Sequence, residues 1–107
     1  MRSDIEMRPE LFRAVCKDKA GIFRAMAHES RLILLCQLAQ GEKSVSELEL
    51  LLDMHQPNLS QQLKVLGIEG VVTARREGTR IFYSLADRDI LALVETIYEL
   101  WREHAES

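Results

Sequence analysis

Apolar side chains recur along the first third of the chain at helical spacing. Leu11, Phe12, Val15, Ile22, Phe23 and Met26 fall close to i, i+3, i+4 positions and predict one helix over 10–27, with Gly21 as a bend or break. Ala27-His28-Glu29-Ser30 is a polar interruption. Arg31 to Ala39 is then apolar nearly all round, which predicts a second helix buried at the centre and ended by Gly41. Ser44-Val45-Ser46-Glu47-Leu48-Glu49 holds two overlapping capping boxes, Ser44 with Glu47 and Ser46 with Glu49, and starts a third helix that runs to about Asp53. A joint, Met54-His55-Gln56, leads to Pro57, which suits the first turn of a fourth helix. There Leu59, Leu63 and Leu66 make an inward stripe, with Pro57, Asn58, Gln61 and Lys64 on the outward side.

Two short helices with a tight joint, the second polar and donor-rich outside, describe a helix-turn-helix. Gly70 closes that unit. Val71 to Arg76 and Arg80 to Leu85 are β-rich runs flanking Glu77-Gly78-Thr79, the pattern of a hairpin with a glycine turn. A helix-turn-helix followed by a basic hairpin is a winged helix, so the predicted class is mainly α with one β-hairpin. Asp87 can cap a last helix carrying Ile90, Leu93, Val94, Ile97 and Leu100 on one stripe and Leu91, Tyr98 and Trp101 on a second. Apolar on two faces, that helix has more to bury than one small domain offers, which predicts a homodimer. The expected division is an N-terminal arm over 1–9, the winged helix over 10–104 and a tail over 105–107.

Charge sharpens this picture. The 107 residues carry a net charge of -3, at first sight a poor match for nucleic acid. From Pro57 to Ser84, however, Lys64, Arg75, Arg76 and Arg80 stand against Glu69 and Glu77, a net of +2. A local basic patch can meet phosphate on an acidic body because distant charge is screened beyond roughly 8 Å at physiological salt. Composition is that of an ordinary globular domain, 47% apolar and 29% charged. No apolar run exceeds five residues, the length of Leu32 to Cys36, far short of a membrane span. The first six residues lack the apolar stretch of a secretory signal, so the expected address is cytoplasmic, where thiols stay reduced. Neither a membrane nor a cofactor is expected. An enzyme is not expected either: the chain has no glycine-rich phosphate loop, no His-Glu-x-x-His and no serine elbow.

Four motifs, Ala25 to Leu32, Ser44 to Leu48, Gln56 to Leu63 and Arg80 to Leu85, resemble in order and spacing the ArsR/SmtB family of dimeric bacterial winged-helix repressors. The likeness covers about residues 19–104. It implies a dimer formed by the first and last helices, and a fourth helix set into the major groove of double-stranded operator DNA over an inverted repeat. Gln56, Asn58, Ser60 and Gln61 are the residues expected at base edges and phosphates, and Lys64, Arg75, Arg76 and Arg80 at phosphates, with Thr79 at the wing tip suited to either. The chain departs from the family at Gly67-Ile68, where a basic residue is common, and at His55, which replaces a capping serine.

Cys36, in Leu34-Leu35-Cys36-Gln37-Leu38, further resembles the thiol-sensing branch of BigR, SqrR and HlyU. That branch pairs this cysteine with one near the end of the last helix, but four residues after Tyr98 stands Arg102. Cys16, flanked by Lys17 and Lys19, is the other thiol and a candidate for a relocated partner. The resemblance thus implies a small reactive inducer, a persulfide or an oxidant, acting at Cys36 alone or with Cys16. Against this stands the plain reading of Cys36 as a small core residue. Metal sensing fits less well. Val45-Ser46-Glu47 stands where soft-metal sensors carry cysteines, and the family's zinc positions correspond to Asp87, Asp89, Leu100 and Glu103. A metal-responsive repressor using Cys16, Cys36 or His104, and a winged helix serving only protein contacts, are the alternatives.

Overall fold

The computed structural model describes residues 8–106. The predicted helices form, with shifted ends: α1 Pro9–Met26, α2 Glu29–Leu38, α3 Val45–Leu52, α4 Gln56–Ile68 and α5 Arg88–Glu106. Gly21 does not break α1, which runs through it without interruption. A Cβ there would meet the carboxylate end of the exposed Glu69 side chain, which would have to swing aside. The interruption after Met26 is real, and His28 organises it by accepting the Ser30 N–H at Nδ1, 3.2 Å, as the N-cap of α2.

Of the two overlapping boxes, the chain uses Ser44 with Glu47. The Glu47 N–H donates to Ser44 Oγ at 3.1 Å and the Ser44 N–H to Glu47 Oε1 at 2.8 Å. Asp53 takes a left-handed φ of 51° and leaves the helix there, so the joint is Asp53-Met54-His55, one residue earlier than expected. Aspartate tolerates that region better than most side chains. Pro57 accordingly stands inside the first turn of α4, where its missing N–H costs no hydrogen bond.

The hairpin is β2 Val72–Glu77 and β3 Arg80–Leu85. Glu77 pairs with Arg80, leaving a two-residue loop, Gly78-Thr79, rather than three. Gly78 at φ 63° supplies the left-handed first position of a type II′ turn. A strand the pattern did not foreshadow, β1 Lys43–Ser44, adds to β3 and gives an antiparallel sheet of order β1-β3-β2. Two residues are too short to show an alternation.

One core joins these pieces. Leu34, Leu35 and Leu38 of α2 sit at its centre, met by Leu48 of α3, Leu59, Leu63 and Leu66 of α4, Val71 and Val72 at the sheet, and Ile90 and Val94 of α5. Asp87 caps α5 through Oδ1, which accepts the Ile90 N–H at 2.9 Å. The outer ends of the first and last helices are different. Residues 8–19 are all exposed, including Leu11, Phe12 and Val15, and so are Tyr98, Leu100 and Trp101. No helix among the described residues is long and apolar enough to cross a membrane. Of the expected arm, residues 1–7 lie outside the described residues and Pro9 already belongs to α1; of the expected tail, only residue 107 lies outside, because α5 continues to Glu106.

Candidate nucleic-acid interface and thiol site

α4 is split cleanly by burial. Leu59, Leu63 and Leu66 are buried, while Gln56, Asn58, Ser60, Gln61 and Lys64 are all exposed on the other side. His55 precedes the helix and makes no side-chain capping bond, so the first N–H groups of α4 stay open toward solvent. Gln62, between the two faces, accepts from Arg31 Nη1 at 3.0 Å and donates to Asn58 Oδ1 at 3.2 Å.

The wing separates its three arginines. The register sets Arg75 opposite Phe82 and Glu77 opposite Arg80, so these four share one face of the hairpin, whereas Arg76 lies on the other. Arg75 is fully engaged. Its Nε and Nη2 donate to the Glu42 carboxylate at 2.9 and 2.8 Å, and its Nη1 donates to Glu77 at 2.7 Å. The guanidinium also lies 4.5 Å from the Phe82 ring centre. This pairing holds the Glu42 carboxyl below the usual carboxylate range and makes Arg75 still harder to deprotonate. Arg80 stacks on the same ring at 4.8 Å and donates to Ser44 Oγ at 3.2 Å, tying the wing to the cap of α3. Glu47, in that cap, is likewise held acidic, first by the Ser44 backbone N–H. Arg76 has no hydrogen bond or ion pair among the described residues. Thr79 is exposed at the tip.

Cys36 is half-buried on α2. It lines a cavity of about 580 Å³ between α2 and α5, together with Ala39, Gln40, Val94, Tyr98 and Glu99. Burial pushes its thiol pKa up, so at neutral pH it is largely protonated and a weaker nucleophile. Cys16 is exposed on the outer half of α1, and no α1 residue lines the cavity. Within one protomer the two thiols therefore occupy separate surroundings. Arg102, which stands at the position expected for the second cysteine, pairs with Glu99 at 3.2 Å.

Comparison with known proteins agrees with this geometry. Residues 28–74 match the model of the family described as "Bacterial regulatory protein, arsR family". A biofilm growth-associated repressor of Agrobacterium fabrum is 50% identical over 80 residues, covering 75% of this chain and 68% of that protein. This chain belongs to the arsR family. Among solved structures, the reduced form of HlyU from Vibrio cholerae has a TM-score of 0.80 at 34% identity, covering 86% of this chain and 97% of that one. A homodimeric winged helix-turn-helix DNA-binding domain from Mycobacterium bovis has a TM-score of 0.78 at 32% identity, with coverages of 95% and 94%. As a member of the arsR family the chain is a transcriptional regulator built on a winged helix-turn-helix.

Within this arsR-family frame, no three His, Cys, Asp or Glu side chains among the described residues stand close enough to hold a metal ion. Asp87 is committed to its helix cap. Sequence reasoning missed Glu42, Phe82, Arg31 and Gln62. Glu42 is 33 residues from the arginine it binds, and Arg31 is 31 from its glutamine, so spacing along the chain carried no signal for either pair.

Proposed function

We propose that this chain is a cytoplasmic, homodimeric transcriptional repressor, released from its operator when a persulfide or an oxidant modifies Cys36. The observation that carries the DNA-binding part is the exposed row Gln56, Asn58, Ser60, Gln61 and Lys64 on a helix whose opposite side is locked into the core. Amides and hydroxyls on such a row can read base edges, and Lys64, Arg76 and Arg80 can meet phosphates. Thr79 at the wing tip adds a hydroxyl. Arg75, although part of the same basic wing, has its guanidinium taken by two carboxylates, which suits it to fixing the wing.

The exposed apolar ends of α1 and α5 support dimerisation through those helices, as does the homodimeric state of the M. bovis relative. Two copies of α4 would then enter successive major grooves over an inverted repeat. Repression is inferred from the A. fabrum relative, which is itself a repressor. The sensing part rests on Cys36 lining the cavity between α2 and α5, and on the reduced form of HlyU among the structural relatives. Added atoms on that sulfur would enter the cavity and change what α2 and α5 touch across it. A coupling of about 1–3 kcal/mol between that change and DNA binding is enough for release. Binding to duplex DNA measured at rising salt tests the proposal: affinity should fall steeply as phosphate contacts are lost. A salt-independent interaction, or none, would instead mark a winged helix used for protein contacts.

A further inference from the structure

Arg31 lies in the first turn of α2, outside α4, yet it is linked to the exposed face of that helix. Its Nε donates to the Ala25 carbonyl in the last turn of α1, and its Nη1 donates to Gln62 Oε1 at 3.0 Å. A guanidinium carries donors only. Gln62 must therefore present its oxygen to Arg31, which turns its NH2 the other way. That NH2 donates to Asn58 Oδ1 at 3.2 Å, one turn earlier on α4. The chain of polarity ends at Asn58. With its oxygen drawn back toward Gln62, its own NH2 is the group left facing outward.

We infer that Arg31 and Gln62 are positioning residues that set which edge of Asn58 meets a base, and so determine sequence preference without touching DNA. An unconstrained asparagine amide can turn over and offer either a donor or an acceptor. Held as it is here, Asn58 offers its donor first. In the major groove that favours bases with acceptors, such as purine N7 or thymine O4, and disfavours cytosine, which presents an N4 donor. The inference rests on the reading of α4 as the DNA-facing helix. It adds to that reading a class of base and two residues that govern it.

The test is selection of binding sites from a randomised duplex library, run with the parent and with Asn58→Ala, Gln62→Met and Gln62→Glu. Circular dichroism checks the fold of each. The parent should disfavour cytosine roughly tenfold at one position per half-site, the scale of a well-placed contact. Asn58→Ala and Gln62→Met should both lose that preference, and adding Gln62→Met to Asn58→Ala should change nothing further. Gln62→Glu keeps an acceptor for Arg31, and so protects the fold, but cannot donate to Asn58. The asparagine amide should then turn over and shift the preference toward cytosine, an inversion that a purely structural role would not give. If Asn58→Ala changes the selected sites while both Gln62 variants select as the parent does, the relay is refuted and the DNA-facing reading stands. If Asn58→Ala selects as the parent does, Asn58 reads no base and the relay is refuted, whereas a parent that selects no site at all would refute the DNA-facing reading as well.

Discussion

Replacing Arg76 and replacing Arg75 should have different effects on DNA binding, although the two are neighbours on one basic strand. Arg76 lies on the opposite face of the hairpin from Arg75 and has no partner among the described residues. A phosphate it neutralises on binding releases about 0.9 of a condensed counterion, so Arg76→Ala should flatten the slope of log affinity against log salt by about 0.9. Over the fourfold range from about 50 to about 200 mM salt, that makes the defect roughly 3.5 times larger at the low end than at the high end. Arg75 is already neutralised by Glu42 and Glu77 at 2.7 to 2.9 Å. Removing the pair as a charge-balanced change, Arg75→Gln with Glu42→Gln, should leave the slope parallel to that of the parent. Any loss of affinity from a looser wing should be the same at every salt. Fluorescence anisotropy of a labelled duplex at five or six salt concentrations measures both slopes. Parallel lines for Arg76→Ala would refute its phosphate contact, and a flattened line for the paired change would show that Arg75 leaves Glu42 for DNA.

Ser44→Ala removes the cap of α3 and the hydroxyl that Arg80 uses, and should cost about 1–2 kcal/mol in urea unfolding. An unchanged midpoint would refute that role. The rate at which iodoacetamide labels Cys36 should keep rising as pH passes the ordinary thiol value, because burial raises its pKa; peptide mass mapping over time reads it. Cys36→Ser should bind DNA yet no longer be released by polysulfide or peroxide, while Cys16→Ser should still be released, since no α1 residue lines the Cys36 cavity. Release of the Cys36→Ser protein as efficiently as the parent would make Cys36 core filling.

Helical elements were legible because each satisfies a local rule. The stripe of Leu59, Leu63 and Leu66 fixes the buried side of α4, and the glycine at 78 fixes the hairpin turn. Boundaries shifted where a single backbone choice intervened, as at Asp53, whose left-handed φ ends α3 a residue early. What the sequence hid was pairing through space. β1 exists only because Lys43 and Ser44 meet Tyr83 and Phe82 across the sheet. Local charge counting gave the wing three equivalent arginines, but Glu42, from the turn before β1, singles out Arg75. The chemistry of Cys36 depends on a cavity made by two helices that are remote in sequence.

The central claim is that two copies of the chain place two α4 helices on one face of the duplex, about one helical turn apart. Insertion of five base pairs between the half-sites of a selected inverted repeat tests it directly. Half a turn of added twist carries one half-site to the far side of the duplex, beyond the reach of a rigid dimer. The account predicts that affinity falls to the level of a single half-site after the five-pair insertion, and that the parent duplex binds two chains in sedimentation equilibrium. Undiminished affinity, with one chain bound per half-site at either spacing, would contradict it.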